Sequence, residues 1–250
     1  MSISCAAEFD TGPRTQRRRP RQEVESMISE NVERVRAEIF DAAIRSGRRP
    51  EDVTLCAVTK TVDALAARET LDAGVKVLGE NRVQSLLEKY DALGSQPQWH
   101  LIGHLQTNKV KYIIDKVSLI HSVDSVRLAE EIDRRAKAAG RRMDILIEVN
   151  VAGEASKFGI RPEETERMME QLAGFENICV RGLMTIAPLP ETPGANRKYF
   201  SKLRELFIDI QSKKYDNSNM DVLSMGMSRD FVEAVEEGAT IVRVGTALFK

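Results

Sequence analysis

The feature that most constrains the fold of this chain is a regular alternation of short apolar runs and helix-like segments. The apolar runs are rich in Val, Ile and Leu without strict polar alternation, which favours parallel strands buried on both faces. We predict strands at residues 53–59, 75–79, 99–102, 119–123, 144–150, 179–185, 222–224 and 241–244, with helices near 63–73, 82–93, 107–115, 125–139, 163–173, 195–213 and 229–237. This order favours an α/β fold of the (β/α)8 TIM barrel type. An open doubly wound sheet is the alternative if one strand is miscounted.

An extra amphipathic helix is predicted before the first strand, over residues 25–46, because apolar residues from Met27 to Ala43 recur at helical spacing. Only six residues follow the eighth predicted strand, so this helix could cover the surface that an eighth helix would occupy. Residues 1–22 contain five arginines and no apolar period, which predicts a disordered tail. The expected organisation is a tail over 1–22 and one barrel domain over 25–250.

Composition excludes several classes of protein. With 250 residues and a formal net charge of −1, the chain gives no general case for nucleic-acid binding. No apolar run approaches the roughly 18–20 residues of a membrane span, and no apolar segment of a secretory signal follows the basic N-terminus. The three cysteines have no CxxC spacing, and no cluster of residues has metal-ligand spacing. We therefore predict a cytoplasmic protein without a metal site.

Lys60 comes directly after the first predicted strand. Ligands bind at the carboxyl ends of the strands in α/β barrels, and apolar neighbours should strip some water from this amine. A neutral lysine amine can attack an aldehyde and form a Schiff base. The alternative is an ordinary surface lysine at a strand end.

Glycine and hydroxyl residues follow the seventh and eighth predicted strands, where barrels often bind phosphate through backbone N–H groups. A Gly/Ser segment is by itself often only a turn, but two at neighbouring strand ends are more specific. The candidate phosphate ligands are Ser224, Met225, Gly226, Ser228, Gly245 and Thr246.

Two further polar residues are candidate ligand contacts. Arg243 places a permanent cation in an apolar final strand, so it either points into the barrel mouth, lies at the rim, or pairs with a carboxylate such as Glu148. Asn81 follows the second strand and either contacts a ring hydroxyl or caps a helix. Together with Lys60 and the phosphate ligands, these residues fit pyridoxal 5'-phosphate (PLP), with Arg243 facing the pyridine nitrogen. We assign His100 and His121 structural roles, and His104 a packing or capping role ahead of proton transfer.

Six segments also resemble the pyridoxal-phosphate homeostasis protein family: AVTK (57–60), GENRVQ (79–84), WHLIGHLQTNK (99–109), GLMT (182–185), LSMGMS (223–228) and VRVGT (242–246). The resemblance implies a single barrel like the N-terminal domain of alanine racemase, the fold-type III class. It implies a protein that binds, buffers and hands over PLP without catalytic turnover. The family's Schiff-base lysine maps to Lys60, its ring-nitrogen arginine to Arg243, and its phosphate ligands to Ser228, Gly245 and Thr246 with the 224–227 turn.

Two enzymatic alternatives stay open. A low-activity amino-acid racemase needs a second acid or base on the opposite face of the cofactor, and none of the four tyrosines has that place in the predicted fold. Such racemases also carry a C-terminal β-domain, which is not expected here because the chain ends with the barrel. A Schiff-base aldolase could use Lys60 on a sugar phosphate. The expected partners are PLP and, as candidate recipients, apo enzymes that use it, with the protein a monomer or weak dimer.

Overall fold

The computed structural model describes residues 21–154 and 156–250, with side chains described from Met27 onward. In these ranges eight parallel strands close into a barrel in chain order, with β1 paired to β8. The strands are β1 (Thr54–Val58), β2 (Val77–Glu80), β3 (Gln98–Leu101), β4 (Leu119–Val123), β5 (Met143–Glu148), β6 (Ile178–Met184), β7 (Ser218–Met227) and β8 (Ile241–Val244). The predicted (β/α)8 barrel is confirmed, and the open sheet is excluded.

Helices surround the barrel. They are α1 (Arg21–Arg45), α2 (Ala64–Asp72), α3 (Val83–Leu93), α4 (Val126–Ala138), α5 (Thr165–Leu172), α6 (Arg197–Lys213), α7 (Phe231–Glu236) and the short α8 (Thr246–Phe249). Short 3-10 helices lie at Pro50–Asp52, Thr107–Tyr112 and Pro162–Glu164. None of the described helices is long and apolar enough to cross a membrane.

The helix predicted near 107–115 is present between β3 and β4, as a 3-10 helix over Thr107–Tyr112 rather than an α-helix. Val110 and Ile113 are both buried, and residues three apart eclipse one another in a 3-10 helix. A spacing of three therefore suits either helix type, and so few apolar residues could not distinguish them.

Helix α1 packs against α2, α7 and α8, where an ordinary eighth helix would sit. Its apolar stripe, which includes Ile28, Val32 and Val35, is buried. Asn31 Nδ2 donates to the carbonyl of Leu248 at 3.1 Å, which ties α1 to the end of the described chain. The predicted covering role of this helix is confirmed, although it begins at residue 21 instead of 25. The tail predicted over 1–22 lies outside the described residues, apart from the two that open α1.

Two apolar layers stabilise the barrel. The larger cluster joins strand residues such as Ala57 and Ile145 to the helices. A smaller cluster consists of residues on the alternate strand face, including Val58 and Leu146. Because successive strand side chains point to opposite faces, this second cluster fills the barrel interior. Polar side chains that share this inner face must therefore find partners inside the barrel or reach its mouth.

Strand β7 is much longer than predicted, with ten residues instead of three. Its first half is polar, and Asp221 forms an ion pair with Arg181 on the neighbouring β6. Because these residues are polar, the apolar pattern of the sequence did not indicate this part of the strand. The consequence is that Met225 and Gly226 lie within the strand together with Ser224, so the prediction that the turn begins directly after Ser224 is wrong.

Candidate functional site

The carboxyl ends of the strands open onto a cavity of about 220 Å³, named here the mouth pocket. Of the nine predicted site residues, six line it: Lys60, Asn81, Ser228, Arg243, Gly245 and Thr246. The remaining walls are largely apolar. They include Met227, from the 224–227 segment that the family resemblance implied, and five residues that were not predicted, Val58, Ile102, Ile186, Leu189 and Pro190. The sequence predicts which of these residues lie at strand ends. Leu189 and Pro190 instead come from the loop after β6, and the path of this loop cannot be predicted from the sequence.

Lys60 lines the mouth pocket and follows β1 by two residues. Its side chain is exposed, so the expectation that apolar neighbours strip water from it is wrong. The amine has neither a hydrogen bond nor an ion pair with any described residue. It is therefore accessible to a ligand that enters the mouth pocket.

A buried ion pair supports the chain immediately before Lys60. Lys89, on α3, donates from Nζ to the carbonyl of Thr59 at 2.8 Å and to Glu80 Oε1 at 2.6 Å. The Thr59 hydroxyl donates to the same carboxylate oxygen at 2.6 Å. Both charged side chains are almost completely buried. This cluster anchors the end of β1 to β2 and α3, and so sets where the backbone of Lys60 stands.

Ser228 joins the ends of β7 and β8. Its Oγ accepts hydrogen bonds from the N–H of Gly245 at 3.1 Å and of Ala247 at 3.3 Å. The hydroxyl hydrogen remains free to donate, and Thr246 adds a second hydroxyl to the same wall. Both hydroxyl-bearing residues line the pocket.

The pocket is electropositive. Its lining includes the cations of Lys60, Arg229 and Arg243, and a single carboxylate, Asp230. Both oxygens of Asp230 are occupied: Oδ1 accepts from the N–H of Met227 at 2.6 Å, and Oδ2 accepts from Asn196 Nδ2 at 2.7 Å. The excess of positive charge and free hydroxyl donors suits an anionic ligand.

Arg243 is buried inside the barrel with its guanidinium held on two sides. Nη1 donates to Ser224 Oγ at 2.7 Å, and Nη2 donates to the carbonyl of Thr185 at 2.7 Å. No hydrogen bond joins Arg243 to Glu148, so the direct pairing considered from the sequence is wrong. Burial lowers the pKa of Arg243 from its usual value, but an arginine remains charged in a protein.

A hydrogen-bonded chain continues from Ser224 into the barrel. His121 Nδ1 lies 3.0 Å from Ser224 Oγ, and His121 Nε2 lies 3.0 Å from His100 Nδ1. Burial lowers the pKa of His100 to about 3. Burial, followed by the neighbouring His100 and the positive charge of Arg243, lowers the pKa of His121 as well. Both rings are therefore neutral at pH 7.

Arginine can only donate, so Ser224 Oγ accepts from Arg243. The Ser224 hydroxyl can donate its own hydrogen to His121 Nδ1, and in that arrangement the neutral His121 carries its proton on Nε2 and donates to His100 Nδ1. We predicted structural roles for both histidines, and the structure adds that they orient the hydroxyl on which Arg243 rests.

Ser224, Met225 and Gly226 do not line the mouth pocket. The Ser224 side chain lies beneath it, and Met225 is buried on the helix-facing side of the strand. Gly226 has φ of 88°, and a Cβ there would lie 2.5 Å from the Cβ of Ala234 and 3.0 Å from the Cα of Phe231. Glycine thus allows α7 to pack directly on β7, which positions Ser228 at the strand end.

Asn81 lines the mouth pocket without capping the following helix, whose N-cap is Arg82. Its Oδ1 is buried without a hydrogen-bond partner among the described residues. His104 stacks on Phe158 with ring centroids 3.9 Å apart, and its Nδ1 lies 3.4 Å from Asp124 Oδ2. The packing role that we favoured for His104 is confirmed.

Glu148, which the sequence offers only as a partner for Arg243, is a buried acid on the inner face of the barrel. Its carboxyl forms no hydrogen bond with any described residue, and it is 4% exposed. Burial, and secondarily the charge of Asp124, raise the pKa of Glu148 to about 7, against the opposing effect of Arg243. This group therefore changes its charge near neutral pH.

Comparisons with known proteins place this geometry in a family. The model of the alanine racemase N-terminal domain matches residues 31–250. The chain is 49% identical over 221 residues to a pyridoxal phosphate homeostasis protein of Aquifex aeolicus, a match that spans 88% of this chain and 96% of that protein. The chain belongs to the pyridoxal phosphate homeostasis protein family.

Two solved structures match this chain along most of its length. PipY of Synechococcus elongatus, solved with PLP bound, superposes with a TM-score of 0.78 at 36% identity and covers 89% of this chain and 100% of its own. An unknown protein from Bifidobacterium adolescentis gives a TM-score of 0.86 at 37% identity over 91% of this chain and 96% of its own. Both matches extend across nearly all of the barrel.

Proposed function

We propose that this chain binds PLP as a Schiff base on Lys60 and acts in cofactor homeostasis, by buffering and delivering PLP without catalytic turnover. The composition of the mouth pocket is the observation that supports this proposal most strongly. An accessible amine, a buried arginine and a hydroxyl-lined edge surround one cavity at the carboxyl end of the barrel.

The residues present fit the cofactor on chemical grounds. PLP is an anion with an aldehyde, and the pocket offers three cations against one fully hydrogen-bonded carboxylate. The Lys60 amine would condense with the aldehyde carbon and release water, forming the C=N bond that holds the ligand. When bound, PLP supplies an electron sink for amino-acid chemistry.

The phosphate would be held by Ser228, Thr246 and the backbone around Gly245. Ser228 Oγ already organises the N–H groups of Gly245 and Ala247, and its own hydrogen is available to an anion. Because Ser224, Met225 and Gly226 lie outside the lining, we assign them supporting roles beneath and behind the pocket.

Arg243 would face the pyridine nitrogen and Asn81 would contact a polar group on the ring. A permanently charged guanidinium cannot accept a proton, so it would keep that nitrogen unprotonated. An unprotonated ring is a weaker electron sink, which suits a carrier more than a catalyst.

Racemisation finds no support in the pocket. Among the described residues that line it, there is neither a tyrosine nor a histidine, and the carboxylate of Asp230 is occupied by two donors. A second acid or base for the opposite face of the ligand is therefore not provided. As parts of the same proposal, we place the protein in the cytoplasm as a monomer or weak dimer, with apo PLP enzymes as recipients.

The proposal is tested by comparing Lys60→Ala with the double variant Ser228→Ala/Thr246→Val. Lys60→Ala should lose the visible absorbance of the imine while retaining weaker, reversible PLP binding. The double variant should keep the absorbance at saturating PLP but bind with at least about tenfold lower affinity, since hydrogen bonds to charged groups are strong. An unchanged spectrum in Lys60→Ala refutes the Schiff base, and unchanged affinity in the double variant refutes the phosphate site.

A further inference from the structure

The segments 79–84 and 99–109 carry much of the family resemblance, yet they contribute only Asn81 and Ile102 to the mouth pocket. Most of their polar side chains face a second and larger cavity of about 580 Å³. We name it the β2–β3 pocket, because it lies where the chain leaves these two strands. Its lining includes Asn81, Arg82, Gln84, His104, Lys109 and Tyr112.

The β2–β3 pocket has an uncompensated positive charge. Arg82 and Lys109 come from separate connections and both line it, while no aspartate or glutamate does. Neither cation forms an ion pair with any described residue. Lys109 Nζ lies 5.7 Å from the ring centroid of Tyr112, and a contact of that kind leaves its hydrogen-bond donors available. Two unpaired cations in one concave site attract an anion.

Asn81 connects the two cavities, because it lines both. Its Oδ1 is buried without a hydrogen-bond partner among the described residues, and such atoms usually have one. A ligand with an N–H or O–H group would satisfy it. The wall between the pockets is therefore polar, and a ligand in the β2–β3 pocket would lie beside one in the mouth pocket.

We propose that the β2–β3 pocket is a binding site for a small organic anion, whose carboxylate or phosphate group contacts Arg82 and Lys109. The site is distinct from the mouth pocket and does not depend on the Schiff base at Lys60. Carboxylates and phosphates share the negative oxygens that arginine and lysine bind.

Inorganic phosphate titrated into cofactor-free protein by isothermal calorimetry tests this site. Wild type should bind two phosphates, one in each pocket. Arg82→Gln/Lys109→Gln should weaken one of them at least about tenfold, as expected when hydrogen bonds to charged groups are removed. The matched control Arg167→Gln/Lys137→Gln removes the same charges from exposed positions outside both pockets and should retain both sites.

The outcomes separate this inference from the proposed function. If Arg82→Gln/Lys109→Gln still binds two phosphates with the affinities of wild type, the proposed β2–β3 site is refuted. If Ser228→Ala/Thr246→Val loses the phosphate bound in the mouth pocket, this supports the mouth site independently of the β2–β3 site. If this variant keeps that phosphate, the result contradicts only the mouth site. In Ser228→Ala/Thr246→Val, propionate is then added to displace the phosphate from the β2–β3 pocket. Displacement shows that this pocket binds carboxylates, and no displacement shows that it binds phosphates alone.

Discussion

The substitution Lys89→Met should strongly destabilise the protein, because it breaks the buried cluster beneath Lys60. Glu80 is completely buried and Lys89 is 7% exposed at its side chain, with Nζ 2.6 Å from Glu80 Oε1. Without the ammonium, the carboxylate keeps only the Thr59 hydroxyl as a donor, since Glu80 Oε2 has no hydrogen-bond partner among the described residues.

The expected cost is about 3–5 kcal/mol, the range for removing one partner of a buried ion pair. With a denaturant slope of roughly 2–3 kcal/mol per molar urea, the unfolding midpoint should fall by roughly 1–2.5 M. Adding Glu80→Gln to Lys89→Met should recover about 2 kcal/mol, because a neutral amide can still accept from Thr59 and needs no counter-charge.

Urea unfolding followed by far-ultraviolet circular dichroism measures both differences. Lys137→Met is the matched control: Lys137 is exposed and has no partner among the described residues, so its loss should change stability by no more than about 0.5 kcal/mol. If Lys89→Met falls within about 1 kcal/mol of wild type, or if the double variant is no more stable than Lys89→Met, the reasoning about a buried charge is refuted.

Three further substitutions test the packing and charges of the barrel. Glu148→Gln mimics the protonated acid. Burial raises the pKa of Glu148 to about 7, so the wild-type protein loses stability as pH rises through that value. At pH 8.5 the variant should therefore be more stable than wild type by up to about 3 kcal/mol. At pH 4 the two proteins should unfold at the same urea concentration, and a constant difference across pH contradicts the assignment. Gly226→Ala should cost about 1–3 kcal/mol in the same assay, because it combines a positive φ with a close approach to α7, whereas unchanged stability would show that α7 is free to move. Ser224→Ala should shift the pH dependence of the PLP absorbance, since Arg243 and His121 both lose a partner, and an identical pH profile would show that Ser224 has no influence on Arg243.

The barrel and six of the residues that line the mouth pocket could be predicted from local patterns. Strand order and the positions of Lys60, Ser228 and Thr246 depend on which residues follow each strand, and a single sequence shows that directly. The sequence also indicated Arg243, because a cation in an apolar strand requires a partner. The partner itself was not predictable, since contact with Ser224 depends on how β7 and β8 are staggered inside the closed barrel.

The remaining features come from contacts between distant segments. Lys89 looks like a surface residue of an amphipathic helix, and only the packing of α3 on β2 buries it against Glu80. The polar first half of β7 concealed its length, because its charges pair with a neighbouring strand. The His121–His100 pair likewise requires two strands to be placed side by side before its chemistry is visible.

The amine of Lys60 is the group on which the proposed function depends most. Borohydride reduction of the PLP-saturated protein, followed by mass identification of the modified peptide, measures this directly. We expect one phosphopyridoxyl group on Lys60, and abolition of labelling at that peptide in Lys60→Ala. Labelling of a different lysine in the wild-type protein, or no labelling at all, would contradict the proposed function.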